Sequence, residues 1–183
     1  MNRIILYYSK TGNSRFMAVK LAKAIHCNTS EIHPVVNSIP ILFLLSLLRC
    51  SIPVRLSDNT ILENFDEVIL IGPIWGGQLI APLRSAIRKC KRSGKKFHFA
   101  LTCESSESDK DGPYGYNHVF GILDSVASDA VLEKAAFSTT LVKNYSPEGR
   151  TIQSEKIRIT DENYSEALKE KLMDFAGRIT KSD

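Results

Sequence analysis

The chain has 183 residues, 43% of them hydrophobic and 24% charged, with a formal net charge of +4. That length suits one domain, residues 1–183, with a sizeable core, and the composition excludes a disordered or fibrous chain. The charge is mild, and its one dense basic run, residues 88–96 (RKCKRSGKK), reads as a solvated helix end and loop, so no nucleic-acid partner is expected.

The N-terminal run RIILYY is too short for a signal peptide, and residues 4–8 predict a buried strand. Met17, Leu21, Ala24 and Ile25 then fall on one face of a helix over 14–26. Residues 30–35 hold a short strand ending at Pro34. The apolar stretch 39–48 (IPILFLLSLL) is too short to span a bilayer, which takes about 20 residues. It reads as a helix buried on the sheet, as a homodimer interface or as the wall of a substrate pocket. It lacks the charged face of an interfacial helix, which disfavours membrane contact.

Residues 67–71 form a second apolar strand closed by Gly72 and Pro73. Pro82 stands at the first position of a helix carrying Leu83, Ile87 and Cys90. A third strand covers 96–101, and a polar loop covers 102–116. Asn117 is a candidate N-cap for a helix bearing Val119, Phe120, Leu123, Val126 and Ala127. Residues 135–142 make the last strand, 143–160 a polar excursion, and Tyr164, Leu168, Leu172, Phe175 and Ile179 a C-terminal amphipathic helix. Strands that are apolar on both sides and alternate with helices predict an α/β protein, a doubly wound parallel sheet with helices on both faces.

Cysteines 27, 50, 90 and 103 show neither CxxC spacing nor a following C-x5-R, so no metal site and no thiol phosphatase is expected. Reduced thiols in a cytoplasmic protein are the plain reading. His98 lies in an apolar strand, where a structural role is expected. His118 lies at a helix start.

Between the first strand and the first helix stands SKTGNS. In a doubly wound sheet this loop lies where ligands bind, and the helix behind it presents free N–H groups and partial positive charge. Ser9, Thr11 and Ser14 add hydroxyls, Asn13 an amide, and Gly12 a tight turn. The alternative is an ordinary turn capped by Asn13 or Ser14. The motifs GxxxxGK[ST], GxGxxG and GxSxG are all missing, which argues against a nucleoside triphosphatase, a Rossmann dinucleotide fold and an esterase.

SKTGNS after a first strand resembles the S/T-x-T-G-N-T/S phosphate loop of flavodoxins, and GPIWGGQLIAPLRSAI (72–87) extends the resemblance. It implies a flavodoxin-like fold with five strands in the order 2-1-3-4-5 and flavin mononucleotide (FMN) as cofactor. Ser9, Lys10 (through its backbone), Thr11, Gly12, Asn13 and Ser14 match the loop that holds the phosphate. Pro73, Ile74, Trp75, Gly76 and Gly77 match the loop against one face of the ring. Trp75 is the only tryptophan, and its alternative is core packing. Thr102, Cys103 and Glu104 follow the third long strand beside the ring's other side, and Tyr114 or Tyr116 stacks or closes the pocket.

Flavin chemistry needs no catalytic triad, and no catalytic residue is named. One reading is an electron carrier docking to a redox partner protein, for which Glu104, Glu107, Asp109 and Asp111 supply a local acidic rim despite the basic net charge. Another is a small oxidoreductase passing electrons from NAD(P)H to a quinone-like acceptor. A non-redox phosphate- or flavin-binding module is the third.

Overall fold

In the computed structural model, which describes residues 1–57, 61–146 and 157–181, five parallel strands lie in the order β2-β1-β5-β7-β8. They are β1 (Arg3–Tyr7), β2 (Asn28–Glu31), β5 (Glu67–Trp75), β7 (Phe97–Cys103) and β8 (Val131–Ser138). Numbered among themselves, these five run 2-1-3-4-5, as expected. Two-residue strands β3 (His33–Pro34) and β4 (Val54–Arg55) form a separate antiparallel pair, and β6 (Gln78–Leu79) turns back on the end of β5.

The strands alternate their side chains between two cores. Ile5, Tyr7, Ile69 and Ile71 face α1 (Asn13–Ile25) and α5 (Glu166–Lys181), whose Met17, Leu21, Leu172 and Phe175 complete that side. Ile4, Leu6, Val68 and Leu70 face the other side. There α2 (Ile39–Leu47), α3 (Ala81–Arg92) and α4 (Tyr116–Ala127) contribute Leu42, Leu83, Ile87, Val119 and Leu123.

Several boundaries differ from the sequence reading. The second strand starts two residues earlier, at Asn28, and Pro34 falls in β3. Strand β5 does not stop at Gly72 and Pro73 but runs on to Trp75, because β6 pairs with its end. Thr102 and Cys103 lie within β7 rather than after it. Helix α4 is capped at Gly115, and Asn117 lies inside it, its side chain donating to Asp111 at 2.7 Å. The last strand is 131–138, and Thr139–Leu141 form a short 3-10 turn. Helix α2 is largely exposed: Leu42 and Ser46 are buried and Leu45 is half-buried, while Ile39, Ile41, Phe43, Leu44, Leu47 and Leu48 are exposed. Of the polar excursion 143–160, residues 147–156 lie outside the described residues.

Candidate functional site

Beyond the carboxyl ends of the strands lies a cavity of about 790 Å³. Its wall is built from the loop after β1, the turn after β5, the end of β7 with the loop that follows, Thr139 after β8, and Ile39 and Phe43 of α2.

Lys10, Thr11 and Asn13 represent the first loop on this wall. Gly12 is the N-cap of α1 at φ 99°, a conformation that costs glycine little. No side chain caps the helix and its first turn carries no acid. The free first-turn N–H groups therefore leave the positive end of α1 unneutralised beside the cavity.

Three tethers fix this loop. Lys10 Nζ donates to the carbonyl of Asn37 at 3.2 Å. Ser14 Oγ and Thr102 Oγ1 are hydrogen-bonded at 2.7 Å. Asn13 Nδ2 donates to Ile157 O at 2.9 Å, and its Oδ1 accepts from Ile159 N at 2.8 Å. The Asn13 amide and the Ser14 hydroxyl have protein partners and brace the loop. Ser14, Gly12 and Ser9 are not on the wall. By contrast Ser9 Oγ, and Thr139 Oγ1 on the wall itself, are buried without a hydrogen-bond partner among the described residues. A hydroxyl left so costs about 1–3 kcal/mol, a cost that a polar ligand group would remove.

The second stretch is a hairpin. Trp75 pairs with Gln78 across Gly76 and Gly77, both at positive φ (54° and 69°), as a two-residue primed turn demands. Trp75 is half-buried and meets the Tyr8 ring edge-on at 6.1 Å. Tyr8 is itself held by its hydroxyl donating to Asn37 at 3.1 Å. Pro73, Ile74, Trp75, Gly76 and Gly77 all reach the wall. Gly77 also carries a close approach: a Cβ there would strike Pro113 O and come within 2.9 Å of Tyr114 Cα.

The third stretch, after β7, folds on its own turns. Gly112 N donates to Asp109 O at 3.1 Å, Gly115 N to Gly112 O at 2.9 Å and Ser105 Oγ to Tyr114 O at 3.1 Å. Thr102, Cys103, Glu104 and Tyr114 line the cavity. Burial pushes the Cys103 thiol up to about 11, so it stays protonated and is no nucleophile at neutral pH. Tyr116 is a correction. Its ring is buried away from the wall, and its hydroxyl donates to Glu107 at 2.8 Å, bracing the loop. That bond, followed by one from Lys110, lowers the Glu107 pKa.

Sequence reasoning missed Thr139, although a polar Ser-Thr-Thr run at the end of the last strand was a usable signal. It weighed 39–48 against the pocket without naming Ile39 or Phe43. Neither His98, fully buried with Nε2 3.4 Å from Glu67, nor exposed His118 reaches the cavity. Among the described residues no cluster of His, Cys, Asp and Glu is arranged to hold a metal ion, and no helix is long and apolar enough to cross a membrane.

No protein-family model matches the chain, and no curated protein does. Solved structures do. A flavoprotein from Lactobacillus acidophilus, crystallised in complex with FMN, superposes with a TM-score of 0.60 at 18% identity, over 74% of this chain and 92% of its own. Oxidised flavodoxin 1 from Bacillus cereus gives 0.53 at 16% identity, over 99% of this chain and 98% of its own. The Fusobacterium nucleatum flavodoxin bound to flavin mononucleotide gives 0.52 at 16%, over 100% and 99%. At such identities the shared property is architecture, and the class is that of the doubly wound α/β proteins with a site at the strand ends. Within it, this protein has the flavodoxin-like fold.

Proposed function

We propose that the protein is an FMN-dependent oxidoreductase that passes electrons from a nicotinamide or a redox partner protein to a small apolar acceptor. The observation that carries this reading is the uncapped, acid-free N-terminus of α1 on the same cavity as the half-buried ring of Trp75. An anion suits the first and a flat aromatic ring the second. Thr11 and the amides around Gly12 would hold the phosphate. Trp75, Tyr114 and the backbone of Gly76 and Gly77 would hold the ring system, with Thr102 and Cys103 at the end of β7. Bound flavin supplies hydride and single-electron transfer. The chain's own part is to seat the cofactor, exclude water from it and keep a neutral thiol at Cys103. Ile39 and Phe43 give the cavity an apolar wall, which suits a small acceptor better than a docked protein.

A carrier that serves a partner protein is the second reading. Its support is the pair of acidic residues on the wall, Glu104 and Asp109.

The test has two stages. Purified protein titrated with FMN is expected to quench flavin fluorescence saturably. Protein that leaves the fluorescence unchanged sinks both redox readings and leaves a phosphate-binding module. The loaded protein is then mixed with NADH or NADPH and a soluble quinone. Turnover by the protein alone supports the reductase, and turnover only with an added reductase supports the carrier.

A further inference from the structure

Twelve large hydrophobic side chains are exposed on the described surface, and eight of them lie between Val35 and Leu48. Within α2 the shielded positions, Leu42, Leu45 and Ser46, form a narrow stripe. At about 100° per residue the exposed positions sweep roughly 200° of the helix. Every residue on that arc, from Ile39 and Pro40 round to Leu48, is apolar, and Leu44 and Leu48 are 56% and 63% exposed.

The segments that carry this ridge and the helix beside it are charged with one sign, while Glu104 and Asp109 share the cavity wall with Ile39 and Phe43. Residues 32–57 contain no Asp or Glu, and neither do residues 68–103, which include all of α3. Arg49 follows Leu48 directly. Arg49 and Arg88, the latter exposed on α3, both act on Arg84, which is 3% exposed with two guanidinium nitrogens lacking any hydrogen-bond partner. Among the described residues no carboxylate is paired with this buried guanidinium, which keeps the local potential positive. The charged flank that α2 lacks in its own sequence is thus supplied by its neighbours.

We propose that α2 and its arginine flank form a docking surface for an anionic lipid bilayer, with the aliphatic arc entering the headgroup boundary. A second copy suits the face less well. A two-fold contact presents the same patch to itself, which would bring the basic flanks of both copies to one interface. A protein partner would need a pocket for its anchoring side chains, whereas a protruding aliphatic ridge partitions into lipid without shape matching, and basic neighbours add to its attraction. The docking does not depend on flavin. On the reading of the cavity given above, it would bring Ile39 and Phe43, which belong to both the ridge and the cavity wall, to the membrane, where a lipid-soluble acceptor enters.

The test is flotation of the full chain, with and without FMN, on vesicles of phosphatidylcholine alone or mixed with phosphatidylglycerol. Binding is expected on the mixed vesicles, weaker by about tenfold or more on neutral ones, and falling with salt. Leu44→Asp with Leu48→Asp should reduce it by about tenfold or more without changing the urea midpoint. Arg49→Glu with Arg88→Glu should flatten the salt dependence. Absence of binding to the mixed vesicles at low salt overturns the proposal. So does binding that survives the leucine substitutions, which would mark a general attraction to acidic surfaces. A dimer in sedimentation velocity that the leucine substitutions convert to monomer would assign the face to a second copy instead. None of these outcomes bears on FMN quenching, so docking and flavin binding fail separately.

Discussion

Trp75 and Gly77 stand two positions apart and answer to different forces. The Trp75 ring is half-buried, braced by Tyr8 on its edge and open to the cavity. Removing it in Trp75→Ala is expected to weaken FMN binding by about tenfold, the worth of one aromatic contact, with Trp75→Phe recovering most of it. Fluorescence titration reads both. Gly77 is required by the backbone. At φ 69°, with Pro113 O against its Cα, Gly77→Ala meets both left-handed strain and a clash that only movement of the 113–114 backbone relieves. A loss of about 1–3 kcal/mol is expected in urea unfolding. His98 gives a pH effect. Burial lowers its pKa from 6.5, outweighing the Glu67 carboxylate at 3.4 Å, so the folded state resists a proton that the unfolded chain accepts. Stability is therefore complete above 6.5 and falls as pH drops below it. His98→Gln should flatten the urea midpoint between about pH 7 and 5.5.

Elements differed in how far their sequence revealed them. Strands β1, β5 and β7 are sandwiched between helices, so their residues are apolar on both sides and stand out without any partner being known. Strand β2 is Asn-Thr-Ser-Glu at the sheet edge, with nothing apolar to mark it. Strand β8, at the other edge, begins with Glu133 and Lys134 near its start, and the expected span slid toward the more apolar residues that follow. The wall positions at 10, 11, 13 and 73–77 were legible because a loop between a buried strand and a helix has few other uses for glycine and hydroxyls. The roles of Ser14, Asn13 and Tyr116 were not, since their partners Thr102, Ile159 and Glu107 are set by tertiary placement. Helix α2 yields a prediction of its own. Phe43 reaches the wall and sits over Gly76, 3.4 Å from where a Cβ would stand. Phe43→Ala is expected to raise KM for a small quinone several-fold while leaving the FMN Kd within about twofold, a split that steady-state kinetics and titration resolve together.

At the scale of the whole molecule, a cofactor seated on four strand ends ties separate elements together, so its binding should be read in the melting of the entire domain. FMN at about 100 times its Kd is expected to add ~2.7 kcal/mol. For a chain of this length that shifts Tm by roughly 5–10 °C. The Asn13 brace reaches far along the chain, its partners lying 144 and 146 positions away. Synthesis runs from the N-terminus, so residues 9–14 are made well before Ile157 and Ile159, which clasp them. The loop is thus held in full only once that later segment has been made. A nascent chain stalled before Ile157 would display SKTGNS without its clasp, and a release lacking the C-terminal segment would keep only the Lys10 and Ser14 bonds to hold the loop in register.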